Sequence, residues 1–382
     1  MAGSNETNVK STEIPLPAMN SQESSYLFQL PPELRLSIYR HLFQSTRLSY
    51  GPTTRWTRTI RPARYSLALV RTCRRMRTEI GDSWIGHVLF NFRDTEYMMV
   101  RLTALPMATI SKIRHLRVLG TILPQNERPV PDNQSESDYD YTYYTLVHAL
   151  KLLPGLQLDT LTVLTPIDKY CDYEVLDTLI KYGEGWKELR FICQHSAQLG
   201  YKFPDSIRIW NNTVGYSREP QPAHWVNVMN TRDGIQNQPS VTMYRSTLPG
   251  KACSVMTEAT RVLVKQTPSE EEENPAAILE YYGRNADRRN VKYAQEFMVV
   301  VKRGKGIDYQ EKEDSDYLPP EIGDVREDIA NKTLEEIQEE YLCWWCKDAK
   351  HYSNYGERLF FDRYEHVDEY IWRELERVLA AP

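Results

Sequence analysis

The most regular hydrophobic pattern in the chain lies in residues 28–43, FQLPPELRLSIYRHLF. Leu30, Leu34, Ile38 and Leu42 follow one another at intervals of four, which places them on one face of a helix. Helices of this length are only marginally stable alone in water. We therefore expect an amphipathic helix that docks either on its own domain or on a partner.

Proline and charged residues define the start and the outer side of this helix. Pro31 and Pro32 suit the first turn, where a missing backbone N–H costs no hydrogen bond. Glu33 lies in the same turn, where a carboxylate complements the helix dipole. Tyr39 and Phe43 would widen the apolar face. The predicted polar side consists of Arg35, Ser37 and Arg40.

A second helix and a strand are predicted after a loop at residues 44–65. The helix covers residues 66–80, and Gly81 is a residue type that commonly ends helices. Its apolar stripe contains Leu69, Cys73, Met76 and Ile80. We interpret Cys73 as a core residue and not a nucleophile, since burial suppresses thiolate formation. Residues 87–92 alternate in hydrophobicity, which is typical of a strand.

A short phrase recurs in the middle of the chain, as IRHLRVL, LDTLTVL and WKELRFI. Each copy has an apolar residue, a leucine and a second apolar residue at the spacing of a leucine-rich-repeat strand. Helical patterns at residues 143–153 and 173–182 precede the second and third copies. We therefore predict a short parallel sheet with crossover helices, built from degenerate leucine-rich-repeat-like units.

The second half of the chain is less regular. Short strands are predicted at residues 207–210, 225–228, 241–244 and 296–302, and a helix at residues 256–265. The acidic run SEEEEN at residues 269–274 is typical of a solvated loop, and residues 308–328 of an extended acidic linker. Apolar stripes at residues 334–345 and 364–378 predict C-terminal helices.

Composition limits the class of protein. The chain has 382 residues, of which 41% are hydrophobic and 26% charged. No apolar run approaches the roughly 18 residues of a membrane span. The N-terminus lacks the basic start and apolar core of a secretory signal, and the six cysteines are scattered. We therefore expect reduced cysteines, a cytoplasmic or nuclear location and no membrane association.

The charges are distributed unevenly. Residues 26–120 contain 16 Lys and Arg against 5 Asp and Glu, whereas residues 268–340 contain 10 against 20. A basic first part could bind nucleic acid or could complement the acidic part of the same chain. The arginines of residues 55–77, interleaved with Trp56 and Tyr65, make a nucleic-acid-associated protein one alternative. The other interpretation of the segment is a solvated insertion.

Few residues suggest catalysis or metal binding. Cys343 and Cys346 form a Cys-x-x-Cys pair, but His351 and His366 do not supply the spacing of a zinc finger. Gly-Lys-Gly at residues 304–306 lacks the spacing of a phosphate loop. Hydrolase, metalloprotease and dinucleotide-binding motifs are absent from the sequence. We therefore predict no cofactor and no metal, and a divergent enzyme with no readable site remains an alternative.

The first helix, the second helix and the strand together resemble a known family. The box LPPELRLSIYRHL, followed after an insertion by SLALVRTCRRMRTEI and HVLFNF, is similar to the F-box-like domains of fungal proteins. In that family the first helix docks on the adaptor subunit of a cullin ubiquitin ligase. The resemblance implies a partner-binding face at Leu30, Pro31, Glu33, Leu34, Ile38 and Leu42. The second helix matches the family at Leu69, Val70 and Cys73.

These patterns predict an α+β protein with an N-terminal helical F-box-like head, an irregular αβ repeat-like body and C-terminal helices. The predicted segments are a disordered tail (1–25), the head (26–93), a leucine-rich-repeat-like segment (94–203), an irregular β/α segment (204–305), an acidic linker (306–331) and C-terminal helices (332–382). We expect a non-catalytic interaction protein of the F-box type, which recruits a protein target to a cullin ubiquitin ligase. Burial of Leu34, Ile38 and Leu42 would make them structural, whereas exposure would leave them available for docking.

Overall fold

The protein has an α+β fold, seen in a computed structural model. The described residues are 25–50, 67–120, 123–124, 143–165, 172–193, 222–251, 253–265, 295–315 and 326. The predicted N-terminal tail up to residue 24, the strand predicted at residues 207–210, the acidic run, the Cys-x-x-Cys pair and the C-terminal helices lie outside them.

An eight-stranded mixed sheet organises the described part of the chain. Its strands are β1 (Arg47–Tyr50), β2 (Leu89–Phe92), β3 (His115–Leu119), β6 (Leu158–Leu164), β7 (Trp186–Cys193), β8 (Ser240–Ser246), β9 (Arg261–Val264) and β10 (Phe297–Lys302). Their order across the sheet is β1-β2-β3-β6-β7-β10-β8-β9. Two further strands, β4 (Leu123–Pro124) and β5 (Tyr143–Tyr144), form a separate antiparallel pair. The large sheet therefore joins strands of the predicted head to strands of the predicted body.

Five neighbouring strands, β1, β2, β3, β6 and β7, run parallel and follow chain order. The repeated phrase lies in register on three of them, with Leu116 beside Leu161 and Leu161 beside Leu189. All three leucines are fully buried. Parallel neighbours need a crossover connection, and helices form part of each one between these three strands. The predicted parallel pairing of the three phrases is confirmed.

The other end of the sheet is antiparallel. Strand β10 lies between β7 and β8 and is antiparallel to both, and β9 pairs with the far side of β8. The first five residues of β10 are all buried, as expected for a central strand that is covered on both faces. Strands β8 and β10 confirm the predictions at residues 241–244 and 296–302.

Nine α-helices occur among the described residues. They are α1 (Tyr26–Gln29), α2 (Pro32–Gln44), α3 (Ala68–Thr72), α4 (Arg74–Ile80), α5 (Thr95–Leu102), α6 (Met107–Ile110), α7 (Leu146–Lys151), α8 (Asp172–Tyr182) and α9 (Ala223–Asp233). One hydrophobic core joins most of them to the face of the sheet that carries Leu116, Leu161 and Leu189. A smaller cluster on the other face combines strand residues such as Ile192 with the 3-10 turn Ser254–Met256.

Residues 225–228, predicted as a strand, belong to helix α9. Trp225, Met229 and Asp233 are the buried positions of this helix. The indole N–H of Trp225 donates to Oδ1 of Asp177 on α8 at 3.1 Å, which ties the two helices together. A four-residue window is too short to separate alternation from a helical period, which appears only when the window reaches Asp233.

The helix predicted at residues 256–265 is also wrong. The chain there forms two short 3-10 turns and then strand β9, whose valines favour an extended chain. The buried Glu296 carboxylate accepts hydrogen bonds from the backbone N–H of Cys253 at 2.8 Å and of Val255 at 3.3 Å. These bonds come from a residue about forty positions later, so the local sequence could not indicate them.

The second predicted helix is broken at Cys73 into α3 and α4. Cys73 has an extended backbone, with φ −156° and ψ 163°. Its Sγ accepts a hydrogen bond from the N–H of Met76 at 3.4 Å, so the residue caps α4. Cys73 is half-buried against the core. Gly81 ends α4 with a φ of 52°, in the left-handed region that glycine tolerates.

Two segments predicted without regular structure contain ordered contacts in their described parts. Strand β1 lies in the loop predicted at residues 44–65 and pairs with β2. Residues 308–315, predicted as part of a linker, pack on the turn before β6, where the N–H of Gly155 donates to the carbonyl of Glu311 at 2.8 Å. The Glu311 carboxylate is fully buried, 3.3 Å from the Nζ of Lys151. The linker is therefore anchored to the body at its start.

Candidate partner-binding site

Helix α2 begins where the double proline predicts. The chain between α1 and α2 is extended at Pro31, with φ −53° and ψ 146°, and Pro32 is the first helical residue. Helix α2 then continues for 13 residues to Gln44. At its end the carbonyl of Leu42 accepts hydrogen bonds from the hydroxyls of Ser45 at 2.8 Å and Thr46 at 2.9 Å. Both ends of the helix are thus fixed by local chemistry.

Three apolar residues of the predicted docking face are exposed on α2. The exposed fraction is 54% for Leu34, 45% for Ile38 and 38% for Leu42. Their spacing of four residues places them in one row, which we call the α2 stripe. Of the other predicted site residues, Pro31 and Glu33 are exposed and Leu30 is half-buried. The structure therefore places five of the six predicted residues at the surface.

A different row of α2 faces the core. Arg35, Tyr39 and Phe43 are 7%, 3% and 1% exposed. The prediction that Arg35 lies on the polar, outward side is wrong, because the residue begins this buried row. Tyr39 and Phe43 do not widen the Leu34 row. Together with Arg35 they form the buried side of the helix.

The buried guanidinium of Arg35 has an ion-pair partner and two hydrogen-bond acceptors. Its Nε lies 2.8 Å from Oε1 of Glu79 on α4. The same guanidinium donates to the carbonyls of Leu30 and Phe28, and it lies 5.8 Å from the centroid of the Phe28 ring. A hydrogen bond that involves a charged group contributes about 1.5–3 kcal/mol to the stability of the fold when it is shielded from water. Arg35 therefore fixes α2 against both α4 and α1.

Tyr39 forms the second contact between α2 and α4. Its hydroxyl lies 3.0 Å from the Sδ of Met76. Burial, followed by the charge of Glu79, raises the pKa of the Tyr39 hydroxyl. The hydroxyl therefore stays protonated near neutral pH, and the ring packs between α2 and α4.

Leu36 is an exposed apolar residue that the sequence pattern did not assign to the site. It is 48% exposed and lies on the opposite flank of the buried row from the α2 stripe. Leu36 does not belong to the series with a four-residue spacing, so the sequence pattern does not indicate it. A helical pattern that accepts one arginine among its buried positions identifies the row of Arg35, Tyr39 and Phe43. The residues on both sides of that row, including Leu36, are then predicted to be exposed.

The other sequence candidates do not assemble into a chemical site among the described residues. No group of three or more His, Cys, Asp or Glu in that part of the chain is placed to hold a metal ion. Of the arginines proposed for nucleic acid, Arg71, Arg74 and Arg77 are exposed, and the guanidinium of Arg75 lies 4.2 Å from the Phe28 ring centroid. The arginines between residues 51 and 66 lie outside the described chain.

Replacing Arg35 by methionine is expected to lower the free energy of unfolding by about 1–3 kcal/mol. Methionine keeps the apolar stem but removes the ion pair with Glu79 and the bonds to two carbonyls. The measurement is urea unfolding followed by circular dichroism. Arg40→Met is the matched control, because Arg40 is exposed on the same helix. Equal midpoints for the two variants would show that Arg35 does not anchor α2.

Comparison with known proteins adds no family assignment. No family model, no curated protein and no solved structure matches this chain. Within the described residues, none of the helices combines the length and apolar character needed to cross a bilayer.

Proposed function

We propose that this protein is a non-catalytic interaction protein of the F-box type, which docks on the adaptor subunit of a cullin ubiquitin ligase through the α2 stripe. The observation that carries the proposal is the exposure of Leu34, Ile38 and Leu42 on a helix that is anchored from behind. The resemblance of the LPPELRLSIYRHL box to fungal F-box-like domains supplies the class of partner.

The exposed apolar residues of α2 give a free-energy reason for binding a partner. Full burial of a leucine or isoleucine contributes about 1.5–3 kcal/mol, and the three stripe residues forgo a large share of this while they face water. A contiguous exposed apolar surface on an otherwise charged protein commonly marks a protein interface. A groove on a partner that covered the stripe would recover this free energy, as in helix-in-groove recognition.

The mechanism is tethering. Helix α2 would hold the chain on the adaptor, and the sheet body would hold a protein target beside the ligase. The rate of ubiquitin transfer would rise because the target is kept at a high effective concentration. The identity of the target is set by surfaces outside α2.

The test is binding to a purified cullin-ligase adaptor, measured by biolayer interferometry. The double variant Leu34→Asp, Ile38→Asp is expected to bind at least about tenfold more weakly, because each aspartate would have to be desolvated in the interface. Both positions are exposed, so the urea midpoint of the variant should stay close to that of the wild type.

Leu36→Asp is the matched control for this experiment. It introduces the same charge at an exposed leucine of the same helix, on the other flank. Wild-type affinity for this variant, with weak binding for the double variant, would locate the interface on the α2 stripe. Absence of adaptor binding by the wild-type chain would end the ligase proposal.

A further inference from the structure

The two outermost strands of the large sheet differ in how they are covered. Strand β1 has no exposed apolar side chain, since Leu48 is buried and the ring of Tyr50 stacks on Phe92 with centroids 5.1 Å apart. Strand β9, at the other end, has two exposed apolar residues, Val262 at 49% and Leu263 at 59%. Among the described strands, β9 is therefore the edge that invites a further strand.

The exposed residues of β9 face both sides of the sheet. Val262 is paired with Arg245 of β8, and Leu263 is paired with Tyr244. Because successive side chains of a strand point to opposite faces, the apolar surface continues around the edge. An added strand could bury apolar side chains against both faces of β9.

The hydrogen-bond pattern identifies which backbone groups of β9 face outward. The N–H of Thr247, the residue after β8, donates to the carbonyl of Thr260, the residue before β9, at 2.9 Å. In an antiparallel pair the bonded positions alternate, so Val262 and Val264 bond inward to β8. The N–H and carbonyl of Leu263 therefore point away from β8, toward the outer edge.

The platform behind this edge is firmly built. The turn before β9 is fixed by the Glu296 carboxylate and by the hydroxyl of Thr260, which donates to the carbonyl of Ser254 at 2.5 Å. Val255 and Met256 of this turn are buried in the smaller hydrophobic cluster. The edge is thus presented in an extended conformation before any partner arrives.

The charge of the edge indicates the chemistry of the partner. Strand β9 and the residue after it read Arg-Val-Leu-Val-Lys, with no carboxylate between Arg261 and Lys265. Lys265 is exposed, and the Arg261 guanidinium lies 4.3 Å from the centroid of the Tyr244 ring. Glu258 lies 3.7 Å from Arg261 and offsets part of its charge, so Lys265 leaves the edge with a net positive charge. An extended segment that alternates apolar and acidic residues would complement this edge.

We propose that the β9 edge binds an extended, acidic segment of another protein by β-strand addition, with backbone hydrogen bonds to Leu263. Strand addition supplies affinity through the main chain and specificity through alternate side chains. The site does not include the α2 stripe, so this proposal does not depend on adaptor binding.

The size of the edge favours a peptide segment over a second copy of this chain. Stable protein pairs bury about 800 Å² per partner, which is far more than a four-residue strand offers. A pair of identical edges would also bring Arg261 and Lys265 of both copies together. Repulsion between these like charges opposes self-pairing, whereas carboxylates on a peptide are attracted to them.

The test uses the full chain and a fluorescein-labelled nine-residue peptide that alternates valine with glutamate. Binding is followed by fluorescence anisotropy at low salt. We expect Leu263→Pro to weaken binding about tenfold, because proline removes the outward N–H. The ladder to β8 does not use this N–H, so the thermal midpoint of the variant should remain within a few degrees of the wild type. A peptide with lysine in place of glutamate should bind less well to the wild type.

A second variant covers the case in which Leu263→Pro fails to fold. Leu263→Glu keeps the N–H and places a carboxylate between Arg261 and Lys265, so its preference for the glutamate peptide over the lysine peptide should be several-fold smaller than that of the wild type. Failure of the wild type to bind the glutamate peptide, or equal binding by the wild type and a folded Leu263→Pro variant, would overturn the proposal. So would light scattering that shows a wild-type dimer and a Leu263→Pro monomer, since the occupant would then be a second copy.

Discussion

Replacement of Asp233 by alanine is expected to destabilise the fold by about 3–5 kcal/mol, the usual cost of removing one member of a buried ion pair. The Asp233 side chain is fully buried at the end of α9. Both its carboxylate oxygens lie 3.0 Å from the Nε of Arg303, and Oδ2 also accepts the N–H of Gly304 at 2.6 Å. Its loss would leave a buried guanidinium and a buried backbone donor without this partner.

Two arginines near Asp233 depend on nearby carboxylates, so removal of the Asp233 charge is not easily compensated. The guanidinium groups of Arg232 and Arg303 lie 5.9 Å and 5.6 Å from the ring centroid of Trp186. Both also contact Glu184, at 2.7 Å and 2.9 Å. Burial alone would lower the pKa of Arg303, but hydrogen bonds and charge from Asp233 and Glu184 raise it, so the group stays charged. Without Asp233, two cations would share the single Glu184 carboxylate.

Urea unfolding of the wild type and Asp233→Ala measures this effect. Asp233→Asn keeps the shape and removes the charge, so we expect an intermediate loss. The matched control is Asp308→Ala, which breaks an ion pair of 3.0 Å with Lys312 whose side chains are both more than half exposed. The control should leave the midpoint unchanged. Equal midpoints for Asp233→Ala and the control would mean that the buried cluster is not a stabilising clamp.

Stability is expected to fall as the pH drops from about 6.5 toward 4, because of His115 on β3. Burial, the largest cause, lowers the pKa of His115 from 6.5 to about 4. The nearby charges of His87, Arg190 and Arg114 act in the same direction, and Asp159 opposes them. The folded chain therefore resists protonation of a ring that the unfolded chain protonates readily.

The sign and size follow from proton linkage. Above pH 6.5 the ring is neutral in both states and contributes no pH dependence. Between about 6.5 and 4 the unfolded state binds the extra proton, so the free energy of unfolding falls by up to about 1.4 kcal/mol per pH unit. The total loss is on the order of 3 kcal/mol by pH 4, where the folded state begins to bind the proton as well.

Comparison of the wild type with His115→Gln isolates this contribution. Glutamine is neutral throughout, so the difference between the two unfolding free energies should change with pH between 5 and 6.5 and stay constant between 7 and 8. Glu188 does not contribute between pH 5 and 6.5. Burial would raise its pKa, but the charges of Arg190 and Lys302 lower it below the usual value for a glutamate. A difference that is constant from pH 5 to pH 8 would show that His115 is not the group responsible.

The sequence by itself determined the features that depend on short-range periodicity. The phrase carried by Leu116, Leu161 and Leu189 predicted three parallel strands, because a buried strand must present apolar residues at fixed spacing wherever it lies. The double proline at Pro31 and Pro32 predicted the start of α2, since proline can occupy the first turn without losing a hydrogen bond.

Only the tertiary structure decided which row of α2 faces the core. Two neighbouring rows of side chains, each with a spacing of four residues, could face the core. Hydrophobicity alone predicts that the row of Leu34, Ile38 and Leu42 is the buried one. The row that begins with Arg35 is buried instead, because Glu79 lies 44 residues later in the chain and neutralises the guanidinium. Burial of a charge depends on a partner that periodicity does not reveal. The stripe proposed as the docking face is exposed for this reason.

The same limit explains the errors in the second half of the chain. Strand β10 reaches its place between β7 and β8 from far along the chain, and Glu296 at its start fixes the turn that leads into β9. Neither contact is visible in the sequence of residues 256–265, and the local pattern there predicts a helix that the structure does not have. The sequence determined which segments are apolar and at what period. The long-range partners decided which of those apolar surfaces are buried and which remain exposed, because free energy is gained only where two distant segments meet.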